Sequence, residues 1–156
     1  MRLTLIAAGT RMPAWVEQGY QEYARRLSGD CRLKLVEIPL GLRTRRSSAD
    51  QAKKDEGERM LRKVSAGDRV VALEVTGKAL DTEGLAKCLE DWRRDGRNVT
   101  LLIGGPDGLS AACLQKAEFR LSLSALTLPH GMVRVLLAEQ IYRAWSLLHN
   151  HPYHRA

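Results

Sequence analysis

Short apolar runs of strand length alternate along this chain with longer segments whose apolar residues recur at helical spacing. This alternation constrains the fold more than any other feature, because strands separated by helices pair in parallel and form one covered sheet. Strand patterns lie at 2–8, 32–38, 69–75, 99–103 and 120–123. Helical patterns lie at 13–28, 49–65, 81–95, 109–117 and 131–149. The sequence therefore predicts an α/β fold with a mainly parallel sheet flanked by helices.

The 156 residues contain no repeat, linker or low-complexity tract. A hydrophobic fraction of 44% and a charged fraction of 28% are typical of a soluble protein with one core. We therefore expect residues 1–156 to form a single domain. No apolar run approaches membrane-spanning length. The apolar start is interrupted at Arg11 and Trp15, which favours a first strand over a signal peptide, so we expect a cytoplasmic protein.

Three cysteines are spread widely along the chain, at Cys31, Cys88 and Cys113. Their odd number and wide spacing match neither a disulfide framework nor a metal-binding signature. The sequence therefore predicts reduced thiols and no metal site.

Positive charge is concentrated in one segment. The net charge is +7, and residues 41–63 hold eight Lys and Arg against four Asp and Glu, whereas residues 64–129 have a net charge of −1. Such a patch is typical of proteins that bind a polyanion, most often nucleic acid, although a solvated loop and helix face would have the same composition. The candidate phosphate contacts are Arg43, Arg45, Arg46, Lys53 and Lys54.

Three predicted strands end in segments suited to binding a ligand, at 73–78, 101–108 and 121–130. In a parallel sheet, ligands gather at the carboxyl ends of the strands. The glycines of the second segment allow close approach of the backbone, and the third is apolar and rich in hydroxyl groups, which suits a flat ring. Neither a dinucleotide fingerprint nor a Walker A loop is present, and tight turns or a core connector would give similar sequences.

All four histidines lie in the last 27 residues, and the chain ends in Asn150–Ala156 with a Pro, a Tyr, two His and an Arg. Such side chains stack, donate hydrogen bonds and titrate near neutral pH, which indicates a ligand contact; a frayed end or docking strand is equally consistent. We expect this tail to lie beyond the last helix. His130 follows Pro129 at a predicted helix start, and we expect it to be structural.

The last predicted helix is apolar on almost every side. Its apolar and aromatic residues are Val133, Val135, Leu136, Leu137, Ile141, Tyr142, Trp145 and Leu148. A helix of this kind is buried on several sides, and a single small domain offers limited cover. The pattern therefore predicts a homodimer.

Several motifs of this sequence occur together in one known family. They are Ile103–Leu109, Leu121–His130, Arg134–Ala144 and Tyr153–Arg155, with Gly9-Thr10-x-Met12-Pro13-x-Trp15 and Glu37–Pro39 in support. In this order, and over essentially the whole chain, they resemble the RlmH family of SPOUT-class methyltransferases. The resemblance implies an α/β fold with a trefoil knot near the C-terminus, a homodimer, and S-adenosylmethionine as methyl donor without a metal. It also implies a pseudouridine of large-subunit (23S) ribosomal RNA as substrate, methylated at N3.

The resemblance also assigns residues. The donor contacts that it implies are Leu73, Gly104, Leu123, Ser124, Ala125, Leu126, Thr127 and Leu128. The chemistry of the transfer, rather than the resemblance, suggests the substrate-facing residues: Tyr153 as a stacking platform, His154 as a candidate base and Arg155 as a candidate cation. Arg143 is a further candidate cation and RNA contact, although Glu139 at i−4 offers it a partner on the helix surface.

Three alternatives stay open at this point. A non-catalytic RNA-binding protein of the same fold is disfavoured by the intact 123–128 segment. A small-molecule α/β enzyme that binds phosphate at the glycine-rich strand end is disfavoured because no phosphate-loop motif is present. A methyltransferase for a different RNA base is the third. The sequence also leaves open whether the substrate is free RNA or the assembled ribosome.

Overall fold

A computed structural model describes residues 1–155, in which strands and helices alternate as predicted. The strands are β1 (Leu3–Ala8), β2 (Leu33–Ile38), β3 (Arg69–Ala79), β4 (Val99–Ile103) and β5 (Phe119–Ser122). The helices are α1 (Ala14–Ala24), α2 (Ala49–Lys63), α3 (Thr82–Asp95), α4 (Ala111–Lys116) and α5 (His130–Leu148). Short 3₁₀ turns lie at Gly29–Cys31 and Pro152–Arg155.

The five strands form one sheet in the order β2-β1-β4-β3-β5, and every neighbouring pair is parallel. The predicted α/β fold with a parallel sheet is therefore confirmed. Because all strands run the same way, their carboxyl ends lie along a single edge of the sheet. The segments that the sequence singled out at the ends of β3, β4 and β5 thus follow three adjacent strands.

Both faces of the sheet are covered by helices. In β1, Leu3, Leu5 and Ala7 point into a core shared with α1, α3 and α5. Ile6 and Ala8 point the other way, into a smaller core shared with α2 and α4. This alternation follows from the two-residue period of a strand. It explains why five of the six residues of β1 are apolar, rather than only alternate ones.

Three helices begin at polar side chains that cap their first turns. Ser48, Asp81 and Ser110 each accept a hydrogen bond from a backbone N–H in the first turn of α2, α3 and α4. Gly96 ends α3 with a φ of 80°, the left-handed conformation that glycine adopts at low cost. These short-range signals fix the helix bounds that position the loops at the carboxyl edge.

Two predicted bounds differ from the structure by four residues. α1 ends at Ala24 rather than Ser28, because the N–H groups of Arg26 and Leu27 bond to carbonyls three residues back and tighten the chain. β3 does not end at Val75 but continues to Ala79. Leu121 of β5 is in register with both Leu73 and Lys78, so residues 74–77 bulge outwards between two paired stretches.

Cys31 and Cys113 are buried, Cys88 is half-buried, and all three are free thiols. Within residues 1–155, no helix has both the length and the apolar character needed to cross a bilayer. The trefoil knot implied by the resemblance stays a prediction.

Candidate functional site

A cavity of about 270 Å³ opens at the carboxyl edge, between the ends of β3, β4 and β5. Seven of the eight predicted donor contacts line it: Leu73, Gly104, Leu123, Ser124, Leu126, Thr127 and Leu128. The eighth, Ala125, is exposed and lies outside the lining. Eight further lining residues belong to the three predicted segments without having been assigned individually as donor contacts: Glu74, Val75, Ile103, Gly105, Pro106, Gly108, Leu121 and His130. Val133 lies outside those segments. The structure therefore brings the three predicted segments together around one cavity.

The turn after β4 forms one wall of the cavity. Gly108 donates its N–H to the carbonyl of Gly105 at 3.0 Å and has a φ of 83°. A Cβ on Gly104 would lie 2.6 Å from the carbonyl oxygen of Gly108, so any side chain there collides with the turn's own backbone. Glycine at 104 is thus required by the turn itself, whereas the sequence suggested only close approach to a ligand.

The segment after β5 forms the opposite wall, and its hydroxyl groups shape it. Ser122 donates to the carbonyl of Ser124 at 3.0 Å, and the N–H of Leu126 donates to the Ser124 hydroxyl at 2.9 Å. These local bonds give the segment a defined course without regular structure. They leave the side chain of Leu126 74% exposed at the rim of the cavity.

His130 is the first residue of α5 and lies in the cavity wall. Burial, reinforced by the nearby Arg134 guanidinium, lowers the pKa of His130 below its ordinary value of 6.5, so the imidazole is neutral at pH 7. Its Nε2 is buried without a hydrogen-bond partner among residues 1–155. A Cβ on Gly9 would lie 3.0 Å from that nitrogen, so the ring packs directly on the end of β1.

A buried guanidinium anchors the first turns of α5 beside this wall. Arg134 is 1% exposed and donates to Glu37 at 2.6 Å and to the carbonyl of Gly9 at 2.7 Å. It therefore ties α5 to the carboxyl ends of β1 and β2. Sequence reasoning missed this anchor; the available signal was one Arg among the apolar residues of the last helix.

The cations predicted to contact phosphates in the basic segment, residues 41–63, fall into two groups: four without an ion pair in the part of the chain that the structure describes and one that is paired within the protein. Arg45, Arg46 and Lys54 are exposed, and Lys53 is half-buried. Arg43 instead pairs with the buried Glu56 and with Asp107 of the turn after β4, as described below. The pattern predicted five equivalent phosphate contacts, whereas the structure separates one of them from the rest.

The tail does not extend beyond α5 as expected. Asn150 has a φ of 53°, and His151 donates its N–H to the carbonyl of Ser146 at 2.8 Å, which turns the chain back along the helix. The Tyr153 hydroxyl then donates to Glu139 at 2.9 Å, and its ring lies 4.6 Å from that of Tyr142. An Asn directly after the predicted helix, with Pro152 two residues later, was the sequence signal for this reversal.

Arg143 and His154 lie beside the docked tyrosine. Arg143 pairs with Glu139 at 2.7 Å, as its i−4 spacing suggested, and its guanidinium lies 4.9 Å from the centre of the Tyr153 ring. Burial, followed by the bond to Glu139, raises the pKa of Tyr153 above its ordinary value. His154 borders a shallow depression with Arg143 and has a buried Nδ1 without a partner among the described residues. Arg155 is exposed.

Within one chain, the tail and the cavity are separate. His130 and Val133 line the cavity from the first turn of α5, whereas Tyr153 bonds to Glu139, nine residues after His130. Nine residues of helix span roughly 14 Å. The structure thus brings the predicted donor contacts together but does not bring the predicted substrate-facing residues to them. No group of His, Cys, Asp or Glu side chains suited to a metal ion occurs in residues 1–155.

Comparison with known proteins places the chain in a family. Residues 1–154 match the family described as "Predicted SPOUT methyltransferase". The chain is 55% identical, over 99% of its length and 100% of the other protein, to "Ribosomal RNA large subunit methyltransferase H" of Saccharophagus degradans. It is 58% identical to the protein of that name from Alkalilimnicola ehrlichii, over 100% of both chains.

The fold has a solved counterpart. A structure described as "a probable methylase family protein from Haemophilus influenzae Rd KW20" superposes with a TM-score of 0.55 at 16% identity. The match covers 97% of this chain and 69% of that one. At this identity the likeness concerns the fold alone. The family match and the two full-length relatives confirm the resemblance that the motifs indicated: the chain belongs to the SPOUT methyltransferases, among those named ribosomal RNA large subunit methyltransferase H.

Proposed function

We propose that this protein is an S-adenosylmethionine-dependent methyltransferase that methylates N3 of a pseudouridine in large-subunit ribosomal RNA. The observation that carries the proposal is the meeting of three strand ends around one cavity, in a chain with full-length relatives named for this class of activity. Such an edge is where α/β proteins bind ligands.

The lining of the cavity suits the chemistry of the proposed donor. Its volume of about 270 Å³ lies just below the range of small-molecule sites, which begins at roughly 300 Å³. Leucine side chains offer apolar walls for the adenine ring, and the glycine turn and the hydroxyls of Ser124 and Thr127 offer polar contacts. When bound there, S-adenosylmethionine supplies a methyl group that its sulfonium already activates. The chain's own task is therefore to align the attacking nitrogen and to manage its proton.

The basic segment is the proposed contact for RNA phosphates. The backbones of Thr44 and Ser47 bond to each other at 3.3 and 3.2 Å, and this tight turn holds Arg45 and Arg46 exposed at its apex. Exposed guanidinium groups on a turn meet a phosphate backbone without rearrangement of the core. With Lys54 nearby in sequence and also exposed, this segment would position the RNA while other residues read the target base.

The tail is proposed to act at the cavity of a second subunit. Because Tyr153 is docked on Glu139, away from its own cavity, a tail that meets the target base does so most directly across a homodimer. Trp15, Met132 and Leu136 are large apolar side chains exposed near the start of α1 and in α5, and they support an interface there. The action of the tail on a second subunit and the interface at α1 and α5 both follow from the predicted homodimer.

The N3 proton is the remaining chemical requirement. The imide nitrogen must be deprotonated before or during transfer, so a base or a cation that stabilises the ring anion is needed. His154 is the proposed base, Arg155 the cation that accompanies it, and Tyr153 the stacking platform. The buried Nδ1 of His154 has no partner in residues 1–155 and is thus free to be fixed by a subunit or substrate group.

The test is methyl transfer from labelled S-adenosylmethionine to large-subunit RNA, offered both free and in assembled ribosomes. N3 lies on the base-pairing edge of pseudouridine, so methylation there blocks pairing, and reverse transcription of the product stops at one site. Transfer of label to the RNA together with such a stop supports the proposal. Transfer of label without a stop favours a methyltransferase that acts on another base. RNA binding with no transfer to either substrate favours the non-catalytic alternative and contradicts the proposal.

A further inference from the structure

A buried carboxylate lies between the basic segment and the cavity. Glu56 of α2 is 1% exposed and accepts a hydrogen bond from the Gly41 N–H at 2.8 Å. Its remaining bonds come from the two terminal nitrogens of Arg43, at 2.8 and 3.3 Å. A buried carboxylate is stable only when it is paired, so this contact fixes the position of the Arg43 guanidinium.

The same guanidinium also holds the turn that forms the cavity wall. The Nε of Arg43 donates to Asp107 at 2.9 Å, and Nη1 also donates to the carbonyl of Gly41 at 3.1 Å. Asp107 lies within the turn that the bond between Gly105 and Gly108 closes. With four hydrogen bonds made inside the protein, Arg43 has little donor capacity left for a phosphate.

A second contact joins the same three parts of the chain. A Cβ on Gly105 would lie 2.9 Å from Leu40 and 3.1 Å from the Glu56 carboxylate, so the turn rests directly on both. A Cβ on Gly41 would lie 2.5 Å from the Ala52 carbonyl oxygen, so the loop before Arg43 rests directly on α2. The base of the basic segment, α2 and the cavity wall therefore form one packed unit.

The free cations follow this unit at once in sequence. Arg45 and Arg46 are exposed and sit two and three residues after Arg43, at the apex of the Thr44–Ser47 turn. A displacement of that turn by a bound polyanion would reach the Arg43 backbone over two residues. Asp107 at the far end of the guanidinium would then move with it.

We propose that Arg43 is a positioning residue that couples RNA binding at Arg45 and Arg46 to donor binding in the cavity, through Asp107. The proposal rests on the proposed function. It removes Arg43 from the phosphate contacts and assigns it to the turn instead. By linkage, RNA and donor then raise each other's affinity by the same factor.

The experiment measures binding of labelled S-adenosylhomocysteine by equilibrium dialysis, with and without assembled large ribosomal subunits. The variants are Asp107→Asn, which keeps the shape of a partly exposed side chain, and Arg43→Lys, which keeps the charge without the fork that reaches two carboxylates. Glu90→Gln is the matched control, because Glu90 forms a surface pair with Arg94 at 2.9 Å on α3.

In the unmodified protein, we expect ribosomal subunits to raise the affinity for S-adenosylhomocysteine about fivefold or more. Asp107→Asn and Arg43→Lys should bring that factor close to one, and the double variant should lose no more than either single variant. Glu90→Gln should keep the full factor. The unfolding temperature, measured in parallel, should change little for Asp107→Asn. If Asp107 only stabilised the fold, the coupling would be lost only together with a lower unfolding temperature.

Retention of the full factor in either single variant would overturn the proposal, and so would additive losses in the double variant. Failure of the proposed function is distinguishable from failure of this inference. If the unmodified protein binds no S-adenosylhomocysteine, both are wrong. If it binds the ligand but ribosomal subunits leave the affinity unchanged, only the coupling is wrong.

Discussion

At its N-terminal end, α5 is fixed by a guanidinium buried between two strand ends, whereas its C-terminal end is covered by an aromatic tail. Arg134 is 1% exposed and bonds to Glu37 and to the carbonyl of Gly9. At the other end, the Tyr153 hydroxyl donates to Glu139 and its ring packs on Tyr142. The first arrangement cannot open without leaving buried polar groups unpaired, while the second can open at modest cost.

This difference matches the tasks that we propose for the two ends. A donor pocket works best when its walls are fixed before the ligand arrives. A segment that meets a large RNA must instead move to admit it, and such segments come from the less stable parts of a protein. We therefore interpret the α5 side of the cavity as preformed and the tail as a releasable element.

The largest expected effect concerns stability and compares one arginine from each end. Arg134→Met leaves the carbonyl of Gly9 without its buried donor, so we expect a loss of about 2–4 kcal/mol in the free energy of unfolding. Arg143→Met removes a partly buried pair, but Gln140 and Tyr153 still donate to Glu139, so it should cost about 1 kcal/mol or less. Urea unfolding of both variants measures the difference. Equal losses in the free energy of unfolding for the two variants would contradict the contrast between the two ends of α5.

Removal of the tail should separate catalysis from donor binding. A chain that ends at Asn150 should lose methyl transfer by roughly 100-fold, because the target base is no longer aligned. Donor affinity should stay within about twofold, since no residue beyond Asn150 lines the cavity. Because Tyr153 is docked on α5, we also expect the truncation to lower the free energy of unfolding by about 1 kcal/mol. Removal of an undocked chain end would cause no such loss. Single-turnover methylation and calorimetry test the two halves, and a matching loss of donor affinity would contradict them.

The cavity could be located from the sequence, but the contacts that fix it could not. Strand periodicity is a local pattern, and the rule that strands separated by helices run parallel supplies the topology. Together they imply that the residues after β3, β4 and β5 share an edge of the sheet. The bond between Arg134 and Glu37 joins residues 97 positions apart, and that between Arg43 and Asp107 joins residues 64 apart. Such partners become visible only when the tertiary fold brings them together.

The tail shows a different limit. Its composition indicated a contact, but the same side chains serve a ligand or the protein's own surface equally well. Asn150 and Pro152 carried the signal for a chain reversal, and the partner of Tyr153 then depended on where α5 happens to place Glu139. Side-chain chemistry thus predicted what the tail can do and left open where it does so.

The smallest expected effect is the pH dependence contributed by His130. Its pKa is lower in the folded protein than the ordinary 6.5, because burial and Arg134 disfavour the charged ring. Below 6.5 the unfolded chain therefore binds a proton that the folded chain does not, and stability falls as the pH falls. His130→Gln should show a smaller fall in unfolding temperature between pH 7 and pH 5 than the unmodified protein. If both proteins lost the same unfolding temperature over this pH range, the imidazole of His130 would lie in solvent rather than in the cavity wall.

The claim that the tail of one subunit serves the cavity of the other is tested most directly by mixing two inactive chains. One ends at Asn150 and keeps its cavity; the other carries Gly104→Val, which collides with the Gly108 carbonyl and disrupts the cavity wall but leaves the tail intact. A mixed dimer then holds one whole cavity and, on the other subunit, one whole tail. We predict that mixing restores methyl transfer to large-subunit RNA to a substantial fraction of the level of the unmodified protein. No recovery, with mixed dimers verified by mass, would mean that each tail serves its own cavity and would contradict the account.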